Sequence, residues 1–182
     1  MVAVLALGLA GCSDPGTPSN TLPTAATTSA EPTLALLGPA DFPVPAEARE
    51  QTEAGALAMA TYYLDLIDLA RSSMNGEPFL ALSDGCETCD QLAAGFDAER
   101  AAGNRYDGAD LMISSVGPIV LRDRTADLTL TMSQAASTLL DASGQAVPDR
   151  STPATRLSGG LVLEWDSVRT VWLVTQLNAE QY

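Results

Sequence analysis

Residues 110–133, DLMISSVGPIVLRDRTADLTLTMS, contain the change of periodicity that decides the fold. Between Asp127 and Ser133, apolar side chains alternate with Thr and Ser at every second position, as in an antiparallel strand with one solvated face. Before this stretch, the apolar positions recur at helical spacing. The chain therefore predicts an α+β fold in which helices come first and antiparallel strands follow.

The helical part begins behind two prolines and shows one long amphipathic pattern. Leu57, Leu64 and Ile67 lie on its apolar stripe. Asp65 and Asp68 lie on the opposite face and are expected to be solvated. Asn75-Gly76 ends this pattern. The predicted helices span residues 46–73, 77–82 and about 90–102.

The strand-rich part is divided by Gly and Pro into short segments. Gly159-Gly160 falls inside a predicted strand, where it indicates a bulge or a close approach of backbones. A hairpin turn is predicted at 142–144. The predicted strands span residues 110–116, 119–121, 127–133, 157–165 and 170–177.

This order of elements resembles the NTF2-like, or cystatin-like, cone, in which N-terminal helices pack on a curved antiparallel sheet. The last strand, with Trp172 inside the segment VWLV, is similar to the last strand of many such domains. The length of the chain leaves room for one domain, which is predicted over residues 46–182.

A closer resemblance is carried by two segments. Residues 42–70, FPVPAEAREQTEAGALAMATYYLDLIDLA, and residues 82–89, LSDGCETC, resemble an uncharacterised actinobacterial lipoprotein family, one of the numbered domains of unknown function. The resemblance implies an envelope location and a cystatin-like fold. It supplies no catalytic or ligand-binding residue.

The first twelve residues, MVAVLALGLAGC, form an apolar run that ends in Cys12. This ending resembles the lipobox of bacterial lipoprotein signal peptides, which implies acylation of Cys12. The run is far shorter than the ~20 residues that cross a bilayer, so it is typical of a signal peptide rather than a spanning helix. Residues 13–45 are rich in Ser, Thr and Pro, which predicts a disordered tether behind the lipid.

Composition excludes several functions. The chain of 182 residues has a formal net charge of −14 and no His, and all of its basic residues are Arg. Such a charge repels phosphate backbones, so no nucleic acid partner is expected. Without His there is no imidazole base and no imidazole metal ligand. We therefore predict no catalytic residue, no metal and no cofactor.

Two cysteines remain if Cys12 is acylated. Cys86 and Cys89 are then expected to form a structural disulfide, because an exported protein keeps few free thiols. The C-x-x-C spacing at a helix start also permits disulfide exchange. Neighbouring Asp84 and Glu87 disfavour the thiolate that such chemistry needs.

Two classes of function remain. The first is a non-catalytic lipoprotein, extracytoplasmic and lipid-anchored to the cell membrane, that binds an envelope protein, a cell-wall component or a small ligand through its sheet face or cone cavity. The second is an extracytoplasmic enzyme with a carboxylate acid and base in that cavity. An apolar cavity with only surface carboxylates would favour the first class. A polar pocket that contains a carboxyl of raised pKa would favour the second class.

Overall fold

The structure is a computed structural model that describes residues 35–182. The predicted signal peptide, Cys12 as the predicted site of acylation, and most of the predicted tether lie outside these residues. Within them, a 3-10 helix, Glu47–Arg49, precedes the helices α1 (Glu53–Ser73), α2 (Glu77–Leu80) and α3 (Glu87–Ala101). The strands that follow are β1 (Arg105–Gly108), β2 (Leu111–Val116), β3 (Val120–Arg122), β4 (Thr125–Gln134), β5 (Ser137–Leu140), β6 (Ala146–Thr152), β7 (Thr155–Asp166) and β8 (Val171–Gln181).

The strands form two antiparallel sheets. The larger sheet has the order β2-β4-β7-β8, with β3 also paired to β4, and the smaller sheet has the order β1-β5-β6. The protein is therefore an α+β domain with helices packed on antiparallel sheets. The sequence predicted a single sheet, and none of the three strands of the smaller sheet was among the predicted strands.

The two sheets meet at a bend in one continuous two-stranded ribbon. Ala109 N donates to the carbonyl oxygen of Ala136 (3.1 Å), and Ala135 N donates to that of Asp110 (2.9 Å). Gly108 and Ala109 both have positive φ, +78° and 74°, which turns the chain out of the plane of the larger sheet. The two sheets are thus joined at the point where β1 passes into β2 and β4 into β5.

Helix α1 begins later than its sequence pattern suggests. Thr52 is in an extended conformation, and its side chain accepts a hydrogen bond from Gly55 N, which is the geometry of an N-cap. The helix ends at Met74, which is in the left-handed conformation. Residues on most sides of α1 are buried, because the sheet covers one side and the 3-10 helix, α2 and the preceding segment cover others.

The segment before the 3-10 helix packs on the domain, although the predicted tether extended to residue 45. Val44 is buried, and its N–H donates to the carbonyl oxygen of Leu37 at 2.8 Å. The Phe42 ring stacks on Tyr62 with centroids 5.0 Å apart, and the Tyr62 hydroxyl donates to the Phe42 carbonyl oxygen at 2.8 Å. Because Phe42 and Val44 can bury apolar surface, this end of the predicted tether is ordered against α1.

The core lies between α1 and the inner face of the larger sheet. Every second residue of β4 points inward, so Leu128, Leu130 and Met132 are buried together. Trp172 is fully buried at the far end of the sheet. Among the helices of residues 35–182, none has the length and apolar character needed to cross a membrane.

Candidate functional site

A cavity of about 250 Å³ opens between α1, α3 and the inner face of the larger sheet. Most of its lining is apolar, and none of its lining residues is a carboxylate. The polar lining residues are Arg71, Thr88 and Gln134. The apolar lining residues are Leu64, Ile67, Leu92, Leu111, Met132, Leu157, Leu177 and Ala179.

Sheet register brings the strand residues of the cavity together. Met132 on β4 is paired with Leu157 on β7, and Leu111 on β2 is paired with Gln134 on β4. Paired residues project on the same face of a sheet, so side chains from three strands meet on the inner face. Residue Ala179 of β8 completes the lining beside Leu157.

The helices supply the other wall at helical spacing. Leu64, Ile67 and Arg71 recur at intervals of three and four residues along α1, and Thr88 and Leu92 are four residues apart on α3. The amphipathic pattern of α1 had placed Leu64 and Ile67 on its apolar face. The pattern did not identify Arg71 as a site residue. The full set of lining residues could not be predicted without the register of the strands.

Arg71 joins the cavity to the bend between the sheets. Its Nη1 donates to Asp68 Oδ1 (2.6 Å) and to the carbonyl oxygen of Ala109 (2.6 Å). The second carboxylate oxygen of Asp68 accepts from Leu111 N at 2.7 Å. The pair therefore ties α1 to both ends of the short connection between β1 and β2.

Asp68 is not on a solvated face, in contrast to the prediction from the helical pattern. Only 19% of its side chain is exposed. Burial raises the pKa of the Asp68 carboxyl, and the Leu111 N–H and Arg71 oppose that rise by stabilising the charged form. The presence of Arg71 three residues later was the sequence signal for this pair. Because both carboxylate oxygens accept hydrogen bonds and neither lines the cavity, Asp68 is placed to hold structure rather than to transfer protons.

Cys86 and Cys89 are at disulfide-bonding distance, with sulfur atoms 2.02 Å apart, and form the expected bridge. Both residues are buried, at 2% and 0% exposure. Cys86 Sγ also accepts a hydrogen bond from Cys89 N at 3.2 Å, so Cys86 caps the N-terminus of α3. Disulfide exchange requires a thiolate to reach a sulfur atom, and burial opposes that access. The pair fixes the first turn of the helix that carries Thr88.

Two other depressions are more polar. One of about 380 Å³ lies on the outer face of the larger sheet around Gly159 and Gly160, and its lining includes Asp127 and Glu180. A Cβ atom at Gly160 would lie 2.2 Å from the Leu128 carbonyl oxygen, so the strands approach closely there, as the sequence indicated. The depression is therefore a consequence of strand packing.

The other polar depression, of about 190 Å³, is bordered by Arg124, Glu164, Asp166 and Arg169. Arg169 Nε lies 2.6 Å from Asp166 Oδ2, and hydrogen bonds from the Arg169 side chain and backbone lower the pKa of Asp166 to about 2. Arg124 pairs with Glu164 at 3.5 Å. The four charged side chains therefore form two ion pairs, Arg169 with Asp166 and Arg124 with Glu164. Within residues 35–182, no group of three or more His, Cys, Asp or Glu residues is arranged to hold a metal ion.

The described residues thus define an α+β domain with an apolar, ligand-sized cavity between its helices and its larger sheet. No protein-family model matches the chain, and no curated protein matches it either. Among solved structures, the intermembrane space region of the chloroplast protein ARC6 is 14% identical, with a TM-score of 0.53. That match covers 72% of this chain and 98% of the other, and it shows a shared fold.

Two further structures match with TM-scores below 0.5. A calcium/calmodulin dependent protein kinase II association-type domain from Xanthomonas campestris is 13% identical with a TM-score of 0.43, and the match covers 69% of this chain and 86% of that one. A protein from Catenulispora acidiphila is 12% identical with a TM-score of 0.45, covering 72% of this chain and 95% of that one. Neither score bears on function.

Proposed function

We propose that this chain is a non-catalytic envelope lipoprotein whose folded domain, an NTF2-like (cystatin-like) cone, binds a small apolar ligand in the cavity between α1, α3 and the larger sheet. The observation that supports this function is the lining of the cavity. Its walls are mostly Leu, Ile, Met and Ala side chains, with a few convergent polar groups. Such a lining is typical of small-molecule binding sites.

The enzyme alternative has less support from the same cavity. An acid and a base would have to reach a substrate, yet no carboxylate lines the cavity. Asp68, the nearby carboxyl whose pKa burial raises, is engaged by Leu111 N and Arg71. Burial of Cys86 and Cys89 likewise weakens the case for disulfide exchange.

The envelope location is proposed from the N-terminal sequence. The ending Leu9-Ala10-Gly11-Cys12 resembles a lipobox, and the polar segment behind it would hold the domain away from the membrane. The partners that fit this location are the membrane, through the lipid, and an envelope protein, a cell-wall component or a small ligand through the domain. The strongly acidic composition argues against nucleic acid.

Ligand binding is tested by blocking the cavity at its mouth. We expect the wild-type chain to enhance the fluorescence of the apolar probe N-phenyl-1-naphthylamine. Ala179→Phe should lower the affinity for the probe by about tenfold or more, because the larger ring would occupy the cavity. Ala179 is exposed and lines the cavity, so the substitution adds volume there without removing a core side chain.

Asn178→Phe is the matched control for Ala179→Phe. Asn178 is the adjacent residue of β8 and projects on the outer face, where it lines the depression around Gly160. This variant should bind the probe as the wild-type chain does. Absence of probe binding by the wild-type chain, or equal loss of affinity in both variants, would contradict binding in the inner cavity.

The proposed anchor and bridge are tested together by intact mass. Protein extracted from the membranes of its native host should carry a diacylglyceryl mass that Cys12→Ala removes. Alkylation should modify Cys86 and Cys89 only after reduction, because their sulfur atoms are bonded to each other. An unmodified Cys12 would overturn the lipid anchor, and thiols that react before reduction would overturn the bridge.

A further inference from the structure

We infer that the cavity ligand is a small acyl compound, in which an apolar chain ends in an uncharged carbonyl group that accepts hydrogen bonds from Arg71 and Gln134. This inference rests on the proposed function, because it names the chemical class of the ligand for the same cavity. It depends on three properties of the cavity: its volume, its polar groups and their charge.

The volume sets the size of the ligand. A cavity of about 250 Å³ with a mostly apolar lining has room for an apolar chain of several carbon atoms. The apolar lining extends over both walls, from Leu64 and Leu92 on the helices to Leu157 and Leu177 on the strands.

The polar groups supply donors for one end of such a chain. Arg71 uses Nη1 for Asp68 and Ala109. Within residues 35–182, its Nε and Nη2, the Gln134 amide and the Thr88 hydroxyl make no hydrogen bond to another protein group. Arg71 is only 12% exposed, so a ligand atom that accepted from its remaining donors would be largely removed from water. These donors are not among the fully buried polar atoms, so an acceptor at this point would take the place of solvent.

The charges favour an uncharged acceptor over a carboxylate. The Arg71 guanidinium lies 2.6 Å from Asp68, so its charge is already offset. Asp110 lies close enough to Asp68 to disfavour its charged form, and Glu87 and Asp90 occupy the first turn of α3 beside Thr88. A carboxylate that entered this site would lose its hydration and would face a net negative charge. An uncharged carbonyl group has a much smaller cost of desolvation. A cationic end group would instead meet the Arg71 guanidinium.

The ligand class is tested by displacing N-phenyl-1-naphthylamine from the full chain with three compounds of equal chain length. At pH 8, octanamide should bind about tenfold more tightly than octanoate or octylammonium, because only the amide is uncharged. In the series of linear amides, each added methylene should increase the affinity about fourfold. The increase should cease at the chain length that fills the cavity.

Two substitutions test the donors. Gln134→Leu and Arg71→Met should each reduce the ratio of octanamide affinity to probe affinity by about fivefold or more, since the probe lacks a carbonyl group. Gln134→Leu keeps the ion pair of Arg71 and Asp68, so it remains informative if Arg71→Met does not fold. Thr129→Val, on the outer face of β4, is the control that should leave the ratio unchanged.

The outcomes separate this inference from the function on which it rests. If the wild-type chain does not bind the probe, the proposed function itself fails. If it binds the probe but binds octanoate as tightly as octanamide, or if neither folded variant changes the ratio, the cavity binds apolar ligands and the acyl class is wrong.

Discussion

Replacing Trp172 with alanine is expected to lower the free energy of unfolding by about 3–5 kcal/mol. Trp172 is fully buried, and its ring packs edge-on against Trp165 with centroids 5.2 Å apart. Its Nε1 donates to the carbonyl oxygen of Glu50 at 2.9 Å, a contact between residues that are 122 positions apart. Truncation would therefore leave a cavity at one end of the core and release the segment that leads into α1.

The loss is measured by urea unfolding followed by far-UV circular dichroism, because the substitution removes one of the two tryptophans and changes the fluorescence. Trp172→Phe is the matched control, since it keeps an aromatic ring but removes the indole N–H. Its cost should be smaller, about 1–3 kcal/mol, as expected for a buried acceptor left without its donor. A loss below about 1 kcal/mol for Trp172→Ala would show that this end of the core is not tightly packed.

The contact between Trp172 and Glu50 also explains why the start of α1 could not be predicted. Acidic and apolar residues continue the helical pattern back to residue 46, and local propensity alone would extend the helix that far. Glu50 is instead extended, at φ −110° and ψ 135°, and its carbonyl oxygen faces Trp172. Arg49 Nη2 adds a hydrogen bond to the Arg169 carbonyl oxygen at 2.7 Å. Long-range contacts with β8 and with the turn that precedes it thus override the local pattern.

The strands of the larger sheet were predicted more accurately than those of the smaller one. In β4, the inward residues are apolar except Gln134 and the outward ones are mostly hydroxylated, so periodicity was sufficient. In β1, by contrast, only four residues form the strand, and none of them is buried. Its pairing of Arg105 with Leu140 depends on a residue far along the chain. A short strand of this kind leaves little signal in the sequence.

The candidate site was predictable only in part. The helical residues Leu64 and Ile67 were on the predicted apolar stripe, and the Cys86 and Cys89 pair was expected to hold the start of α3. The strand residues of the cavity become neighbours through register, which alternation alone does not determine. The prediction that Asp68 is solvated was wrong, because a helical pattern shows which face is polar and does not show what packs on that face.

The bend between the sheets is expected to tolerate an added methyl group poorly. Gly108→Ala should lower the free energy of unfolding by about 3 kcal/mol or more, because two costs combine. At φ +78°, an alanine is strained. Its Cβ atom would also lie 2.2 Å from the Ala136 carbonyl oxygen, so the paired strand would have to move. Urea unfolding of the variant and the wild-type chain measures the loss.

Gly85→Ala separates the two costs, because Gly85 has a similar φ of +65° but no atom within 4 Å of the added Cβ. It should lose only about 1 kcal/mol, the cost of the backbone conformation. Ala109 and Leu111 are held by Arg71 and Asp68, so movement at Gly108 should also displace Leu111 from the cavity. Gly108→Ala should therefore weaken binding of N-phenyl-1-naphthylamine, whereas Gly85→Ala should not. If Gly108→Ala and Gly85→Ala lose equal stability, the contact with Ala136 does not hold the bend. If Gly108→Ala binds the probe as the wild-type chain does, the bend does not position the cavity wall.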